Sequence, residues 1–580
     1  MKDRRRSASP KDAPRERGVL RKNWRETRYH VVLVYPNTYD VGMGNLGFQT
    51  VYGLFNRMPE WLCERAFLPV RPDGSLESIE SGRPLTDFDI VAFSISFEND
   101  FVHVPALLRQ AGVPVWAHQR RSGSFPLILA GGVACTLNPE PIAPFIDVFL
   151  LGEAEEVLDR WAVVYDQTEG WSIEERLWHM ARSIPCAYVP EFYDIGYADA
   201  GGILFRKAVQ PDLPQTIQAG VLQDVDLWPT STRILTDVGA FRNHFLIEIG
   251  RGCPHGCRFC SAGFLYRPPR YRSLAVLIEE LRRGADLSSI IGILGTAVSD
   301  LPFLPSVCAE GRKAGVSLSF SSLRVDAITP ELAEELAAQG VKTATLAPEA
   351  GSERMRRVIN KGIDETQVIQ AVRSLVRAGI PNLKLYFMMG LPTETMVDIE
   401  AIVALIATVK AVFLEESRKR GTIGTIAVSL NAFVPKPVTP FQWAPMNPAA
   451  LLRQKARIIR NDVGRIPNVT LSVEPIRDAV LQGWLSRTDR RAAEALDRAS
   501  RSPGGWKGVL RSMPMDPEEE TTRQRPFSET LPWDFIDTGV SRTFLQGEYE
   551  RALEGRPSPP CPLTACTRCG ACRQHRQETP

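Results

Sequence analysis

What this chain lacks narrows what it can be. Its 580 residues contain no run of about 18 apolar residues, so no helical membrane span is expected. The N-terminus is basic, with Lys2, Arg4, Arg5, Arg6, Lys11, Arg15, Arg17, Arg21, Lys22 and Arg25, but no apolar segment follows, which argues against a secretory signal. Neither sign of charge dominates: 69 Lys and Arg against 67 Asp and Glu leave a net charge of +2, so no global field demands nucleic acid or an acidic partner. The length is too great for one hydrophobic core, and two or three domains are expected. The 11 cysteines do not read as a disulfide framework. Cys63, Cys135, Cys186 and Cys308 sit among apolar neighbours as small core residues, and the other seven fall into two clusters with metal-ligand spacing. That usage points to a reducing, cytoplasmic compartment.

The first cluster is Cys253-x3-Cys257-x2-Cys260, in the stretch Arg251-Gly-Cys253-Pro-His-Gly-Cys257-Arg-Phe-Cys260-Ser-Ala-Gly263. It follows Phe245-Leu-Ile-Glu-Ile-Gly250, which reads as a short buried strand. Three thiolates from one tight loop can meet one metal centre, and a glycine-rich backbone leaves N–H groups to face the sulfurs. A zinc site would ask for a fourth ligand, and no fourth cysteine is near. The spacing, with the aromatic Phe259 before the last cysteine, resembles the radical SAM superfamily. The resemblance implies a [4Fe-4S] cluster on Cys253, Cys257 and Cys260 whose fourth iron chelates S-adenosylmethionine.

Upstream, apolar strands alternate with helical stretches. Tyr29–Tyr35, 88–96, 113–116, 126–130 and 147–151 read as strands, with helices near 48–56, 101–111 and 156–165. That pattern predicts a Rossmann-like, doubly wound parallel sheet over 29–165. Ligands of such sheets sit at the carboxyl ends of the strands, which would gather Gly42, Gly44, Gly47, Ser94, Ser96, Gly131, Gly132 and Glu153. The stretch LAGGVACTLNPEPIAPFIDVFLLGEAEE resembles the cobalamin-binding domain that precedes many radical SAM barrels. This implies cobalamin as a further cofactor, with Gly131, Gly132 and Glu153 as contacts. The Asp-x-His-x-x-Gly motif that supplies a lower axial histidine in other cobalamin proteins is absent. The other reading is a domain of this shape that only walls the active site. Residues 166–240 read as a connector carrying a hairpin.

From 241 to 445 the strand–helix rhythm returns, and roughly 200 residues suit about six units where a full eight-unit barrel takes about 250. The expected strands are 245–250, 290–294, 316–320, 343–347, 382–388 and 426–432, a partial (β/α)6 TIM barrel. The stretches SLRVD, PEAGSERMRRVINKG, MGLPTET and FVPKPVTPFQW resemble one radical SAM group, the large iron–sulfur oxidoreductases. Arg324 can pair with the methionine carboxylate, Ser322 can hydrogen-bond beside it, and Glu349 can take the amine or face the sulfonium. Gly295, Gly351 and Gly390 are expected to let the backbone approach the cofactor. Gly295-Thr296-Ala297 replaces the commoner Gly-Gly-Glu of the second strand tip.

Residues 446–500 are expected to be a helical extension with a strand at 469–473 and one helix over 476–500, whose ion-rich Leu485-Ser-Arg-Thr-Asp-Arg-Arg491 reads as structural. Residues 501–532 read as linker, opening a C-terminal segment to 580 that ends in Cys561-x4-Cys566-x2-Cys569-x2-Cys572. Four thiolates so spaced fit one zinc or a second [4Fe-4S] cluster. The expected activity is reductive cleavage of S-adenosylmethionine to a 5′-deoxyadenosyl radical, with cobalamin-dependent methylation of an unactivated carbon as the leading reaction. It needs a low-potential electron donor of flavodoxin or ferredoxin type. The basic tail (1–28) and the arginines around the last cysteines suggest an RNA-modifying enzyme without cobalamin as the alternative. A non-catalytic iron–sulfur scaffold is the third reading.

Overall fold

A computed structural model describes residues 14–70, 74, 76–121, 124–198, 202–321, 323–502, 504–510, 516–563 and 566–574. The first sheet has six strands: β1 (Tyr29–Tyr35), β2 (Trp61–Phe67), β3 (Ile90–Ser94), β4 (Leu127–Gly131), β5 (Val148–Leu150) and β6 (Ala187–Tyr188). Their order is β2-β1-β3-β4-β5-β6, parallel up to the antiparallel β6. The chain therefore leaves β1 in one direction and returns to its other side at β3. The carboxyl ends of β1 and β3 flank the crevice where such sheets bind ligands.

Two expectations for this sheet are corrected. Residues 113–116 form no strand: Val113 caps the turn after the helix His103–Gln110, its N–H bonded to Leu108 O at 2.9 Å. The edge strand is instead β2, registered with β1 from Tyr29↔Trp61 to Tyr35↔Phe67. Glu64-Arg65 hides it in the sequence, because a charged pair in an apolar run reads as exposed. Arg65 is nevertheless buried, bridged by Glu16 at 2.7 Å and Glu80 at 2.6 Å. Of the segment expected to be a free tail, residues 14–28 lie as a strap on this sheet, with Glu16–Arg17 paired to Leu235–Thr236 and Lys22 Nζ donating to Met58 O and Trp61 O. Residues 1–13 are outside the described residues.

The connector carries the expected hairpin, Tyr193–Tyr197 against Ile203–Ala208. Beyond it come β7 (His244–Glu248), β8 (Ile290–Leu294) and β9 (Ser317–Phe320), then β10 (Thr343–Glu349), β11 (Asn382–Met389), β12 (Ile426–Ala432) and β13 (Val469–Val473). They form parallel sheets of three and four strands, joined by the Leu323–Leu346 bridge. All six expected strands are present. The seventh, β13, had been expected outside the barrel but pairs parallel with β12 from Ile426↔Val469. Among the described residues no pairing closes β13 onto β7, so the arc stays open. Alternation explains the open centre. Leu383, Leu385, Phe387 and Met389 of β11 are buried in one core with residues of the helices Glu365–Ala378 and Met396–Lys419, while Lys384, Tyr386 and Met388 between them are only half-buried.

The helix expected over 476–500 is two, Ile476–Arg487 and Ala492–Arg501, broken at Thr488–Arg491. Both join the first sheet's core through Leu481, Trp484, Leu485 and Leu496. Asn138 Nδ2 donates to Ser486 O at 3.2 Å and Thr488 O at 2.8 Å, and Arg490 pairs with the fully buried Glu140 at 2.8 Å. The NPEP and LSRTDRR stretches are thus two halves of one interdomain joint. The expected linker also contributes helices, Trp506–Val509 and Pro517–Thr522.

Candidate active site

β7 ends at Glu248, and Gly250–Arg251 then pairs with Arg270–Tyr271, pinching off the loop that holds the three cysteines. Gly252 turns it at φ +78, where a Cβ would stand 2.2 Å from Tyr266 O, so only glycine closes this loop. The His255 N–H faces the Cys253 sulfur, and the Ala262 and Gly263 N–H groups face that of Cys260. Burial, followed by the neighbouring Cys257 thiolate, pushes the Cys253 thiol up to about 12 and raises that of Cys260. Such thiols ionise only against positive charge, which a metal centre brings. All three are free. Among the described residues no three His, Cys, Asp or Glu side chains converge on a single-ion site. Three thiols from one loop can serve a four-iron cluster, whereas a zinc would ask for a fourth protein ligand. His255 Nε2 is bonded to Asp300. Phe259 packs against a core cluster that includes Met355, Leu391 and Phe441.

Two cations face the thiols. Arg324, after β9, lies in electrostatic reach of Cys253 and Cys257, gripped by Asp326 at 2.9 and 3.0 Å and with Asp300 at 3.9 Å. Lys361 is the other, reaching Cys257 and Cys260, its Nζ 3.2 Å from Glu349 Oε1. Arg324 Nη2 also donates to Lys361 O at 3.3 Å. Lys361 had no role in the sequence reading. Its one signal was its place in the loop after the Glu349 tip, since a lone lysine in a loop usually reads as solvated. Ser322 lies outside the described residues.

Packing alone requires glycine at three of the tips. A Cβ on Gly351 would fall 2.1 Å from Ile402 N, on Gly390 2.8 Å from Leu452 Cδ2, and on Gly295 2.6 Å from Ile249 Cγ1. Protein fills the space a Cβ would need at each, and Gly295 also lines the cavity shared with the first sheet. The tips carry strain as well. Glu349, Thr393 and Val438 take φ of +66, +65 and +58, beyond the ends of β10, β11 and β12 or at them. Non-glycine residues in this region cluster at functional sites, and a β-branched one is uncommon anywhere.

The crevice of the first sheet opens onto the same loop. A cavity of about 410 Å³ is lined by Gly47, Ser94, Ser96, Gly131, Gly132 and Glu153 from the first sheet and by Gly250, Arg251, Gly252, Leu294, Gly295 and Thr296 from the arc. Gly42 and Gly44 are not in its wall, and Gly42 packs on Phe67. Gly132, at φ +102, lies so close to Ile95 O that a Cβ would sit at 2.4 Å. Glu153 is committed to protein: Arg270 holds it at 2.7 and 2.8 Å, and Leu222 N donates to it. Glu155 pairs with Arg251, which also meets Glu248 at 3.2 Å. The Gly-Glu-Ala-Glu ending is therefore a clasp on the cysteine loop. Sequence reading missed Arg251, Arg270 and Glu155, since their partners are about a hundred residues away. No histidine lines the cavity among the described residues. Of the C-terminal set, Cys569 and Cys572 are buried and Cys561 and Cys566 half-buried. Near them, His575 and Arg576 lie outside the described residues.

Comparison with known proteins gives two family matches. Residues 47–190 match the model described as radical SAM proteins, N-terminal, and residues 247–406 that of the radical SAM superfamily. An uncharacterized protein of Methanocaldococcus jannaschii is 27% identical over 470 residues, 81% of this chain and 90% of that one. An uncharacterized methyltransferase of Pyrococcus horikoshii is 27% identical over 171 residues, 27% of this chain and 35% of that one. Among solved structures, the radical S-adenosylmethionine methyltransferase TsrM of Kitasatospora setae, with cobalamin and a [4Fe-4S] cluster bound, aligns over 81% of this chain and 99% of that one, with a TM-score of 0.50 and 13% identity. At that identity the likeness is one of fold.

Proposed function

This chain belongs to the radical SAM superfamily, and we propose that it uses cobalamin beside the cluster to methylate an unactivated carbon. The observation that carries the reading is the cavity walled jointly by the switch point of the first sheet and by the backbone around the cysteine loop. Cys253, Cys257 and Cys260 would hold a [4Fe-4S] cluster, which would supply the electron for cleaving S-adenosylmethionine, and the cavity beside them would hold cobalamin, which would supply a transferable methyl group. Enzymes of this superfamily draw that electron from a separate donor, here of flavodoxin or ferredoxin class.

The chain's own residues hold and orient. Arg324, fixed by Asp326 and by Lys361 O through Nε and Nη2, can offer Nη1 to the methionine carboxylate. Glu349 can exchange part of its bond with Lys361 for the methionine amine, and Lys361 offsets the thiolate charge. Leu33, Val51, Phe55, Leu129 and Val133 give the cavity apolar walls that keep water from a radical. Among the described residues no histidine lines that wall, so its glycines and apolar side chains are what would hold cobalamin there.

The test uses full-length protein reconstituted anaerobically. Expected are corrin absorbance retained through desalting after exposure to hydroxocobalamin, and 5′-deoxyadenosine or S-adenosylhomocysteine formed with dithionite. Cys257→Ala should abolish both products while leaving corrin bound. Failure to retain corrin would sink the cobalamin half of the proposal.

A further inference from the structure

The four C-terminal cysteines lie outside both family matches and play no part in the reading above. The fold nevertheless carries them back to the cysteine loop. Arg258, fully buried between Cys257 and Phe259, donates to Glu548 on the helix Arg542–Leu553 at 3.1 Å, and Ser558 Oγ donates to the same carboxylate at 2.7 Å. Asn360 bridges the two segments, accepting from the Ser558 N–H at 2.8 Å and donating to Gly256 O at 3.1 Å. Next along the chain, the Cys561 N–H donates to Pro254 O at 2.7 Å, one residue from Cys253. The turn that follows is anchored too, with Ser541 N–H donating to Cys569 O at 2.8 Å. Gly256, Phe264 and Arg267 of the cysteine loop share one crevice with Cys561, Cys566 and Cys569.

The thiols form a group. All four are free, two are buried, and the Cys572 sulfur is in electrostatic reach of the other three. The Tyr271 phenol is in reach of both Cys253 and Cys561, so the two sets are neighbours. Four thiolates can hold one zinc or a cluster, and only a cluster could pass electrons to the three-thiol loop against which these cysteines sit.

We propose that Cys561, Cys566, Cys569 and Cys572 ligate a second iron–sulfur cluster, seated on the loop of the first, and that it relays electrons to it. The role of the first cluster rests on the function proposed above. In the relay a low-potential protein of flavodoxin or ferredoxin class is oxidised by one electron and the second cluster is reduced by one. The second cluster is then reoxidised as the first is reduced by one. No covalent bond forms or breaks, and no proton moves.

Iron, acid-labile sulfide and zinc in the full-length protein, purified anaerobically and then reconstituted, provide the first test. Two clusters require about eight irons and eight sulfides per chain, falling to about four in Cys569→Ser/Cys572→Ser and to about four in Cys253→Ala/Cys257→Ala. Wild-type protein with about four irons, or with one tightly held zinc, overturns the proposal without any variant. If Cys253→Ala/Cys257→Ala kept all its iron, the fault would lie in the reading of the first cluster. For the relay, cleavage of S-adenosylmethionine driven by reduced flavodoxin should fall about tenfold or more in the tail variant, while cleavage driven by dithionite, which needs no relay, stays within about twofold. Equal loss with both reductants, or loss with neither, while the first cluster keeps its iron, overturns it.

Discussion

Lys361 brings an ammonium group to within reach of two thiols, and its bond to Glu349 is what lets both charges stay largely buried. Burial works against the ammonium, but Glu349 and the Cys257 thiolate outweigh it, so the Lys361 pKa is raised. Lys361→Met would leave Glu349 unpaired beside thiolates. Breaking such a pair from one side costs about 3 kcal/mol or more. We expect the variant to keep its iron, unfold at lower temperature, and form 5′-deoxyadenosine about tenfold to a hundredfold more slowly, the worth of one charge-assisted contact. Lys361→Arg should recover most of the stability. Thermal denaturation and product formation from the same sample check this. At this scale the cysteine motif was legible because its spacing is local, and Arg324 and Glu349 were singled out by their places at strand tips. Lys361 was not, since its partners come from the tip of β10 and from a loop about a hundred residues earlier.

The strand tips of the arc are fastened to one another as well as to their own strands. Asp398, at the start of the helix Met396–Lys419, accepts from Ser352 Oγ at 2.6 Å and from Thr395 N at 2.8 Å, and Arg354 pairs with it. It therefore ties the tip of β10 to that of β11. Burial opposes the charge, but Arg354, Ser352 and Thr395 outweigh it and hold the carboxyl at about 2. The folded value lies below the ordinary unfolded one near 3.9. Its stabilisation is therefore complete above about pH 4 and fades as pH falls from about 4 to about 2. Asp398→Asn should cost about 1–2 kcal/mol at neutral pH, and the gap to wild type should close across that acid window. Denaturant titrations at pH 7 and at steps below pH 4 measure it. The elements themselves were mostly legible: the runs behind β1, β3, β4 and β7–β12 are apolar and end in turn residues. β2 was not, because Glu64-Arg65 breaks its run until Glu16 and Glu80 neutralise the arginine.

Across the whole molecule, the first sheet and the arc are held at a fixed approach by ions. Glu153–Arg270 and Glu155–Arg251 close one side of the shared cavity, and Glu98–Lys436, at 2.5 Å, joins the tip of β3 to the tip of β12. Arg270→Met leaves Glu153 buried with Leu222 N as its nearest donor and Arg251 at 3.8 Å, a loss of about 3–5 kcal/mol. We expect corrin retention to fall and protease cutting of the connector to rise, with iron content unchanged. Retention equal to wild type would show that the clasp is dispensable. The helices Ile476–Arg487 and Ala492–Arg501 complete this assembly by filling the first sheet's core, although nearly 300 residues separate them from β6.

By itself the sequence determined the superfamily, the three-thiol motif, the alternation of strands and helices in both units, and the existence of a second cysteine set. These rest on spacing and periodicity, which are local properties of the chain. Only the tertiary structure decided which charges are partners, why the tip glycines are glycine, that β13 extends the arc, and that the last cysteines sit against the first. Those depend on contacts between segments far apart in the chain. A carboxylate or a thiol looks the same in a sequence whether it faces water, an arginine or another sulfur.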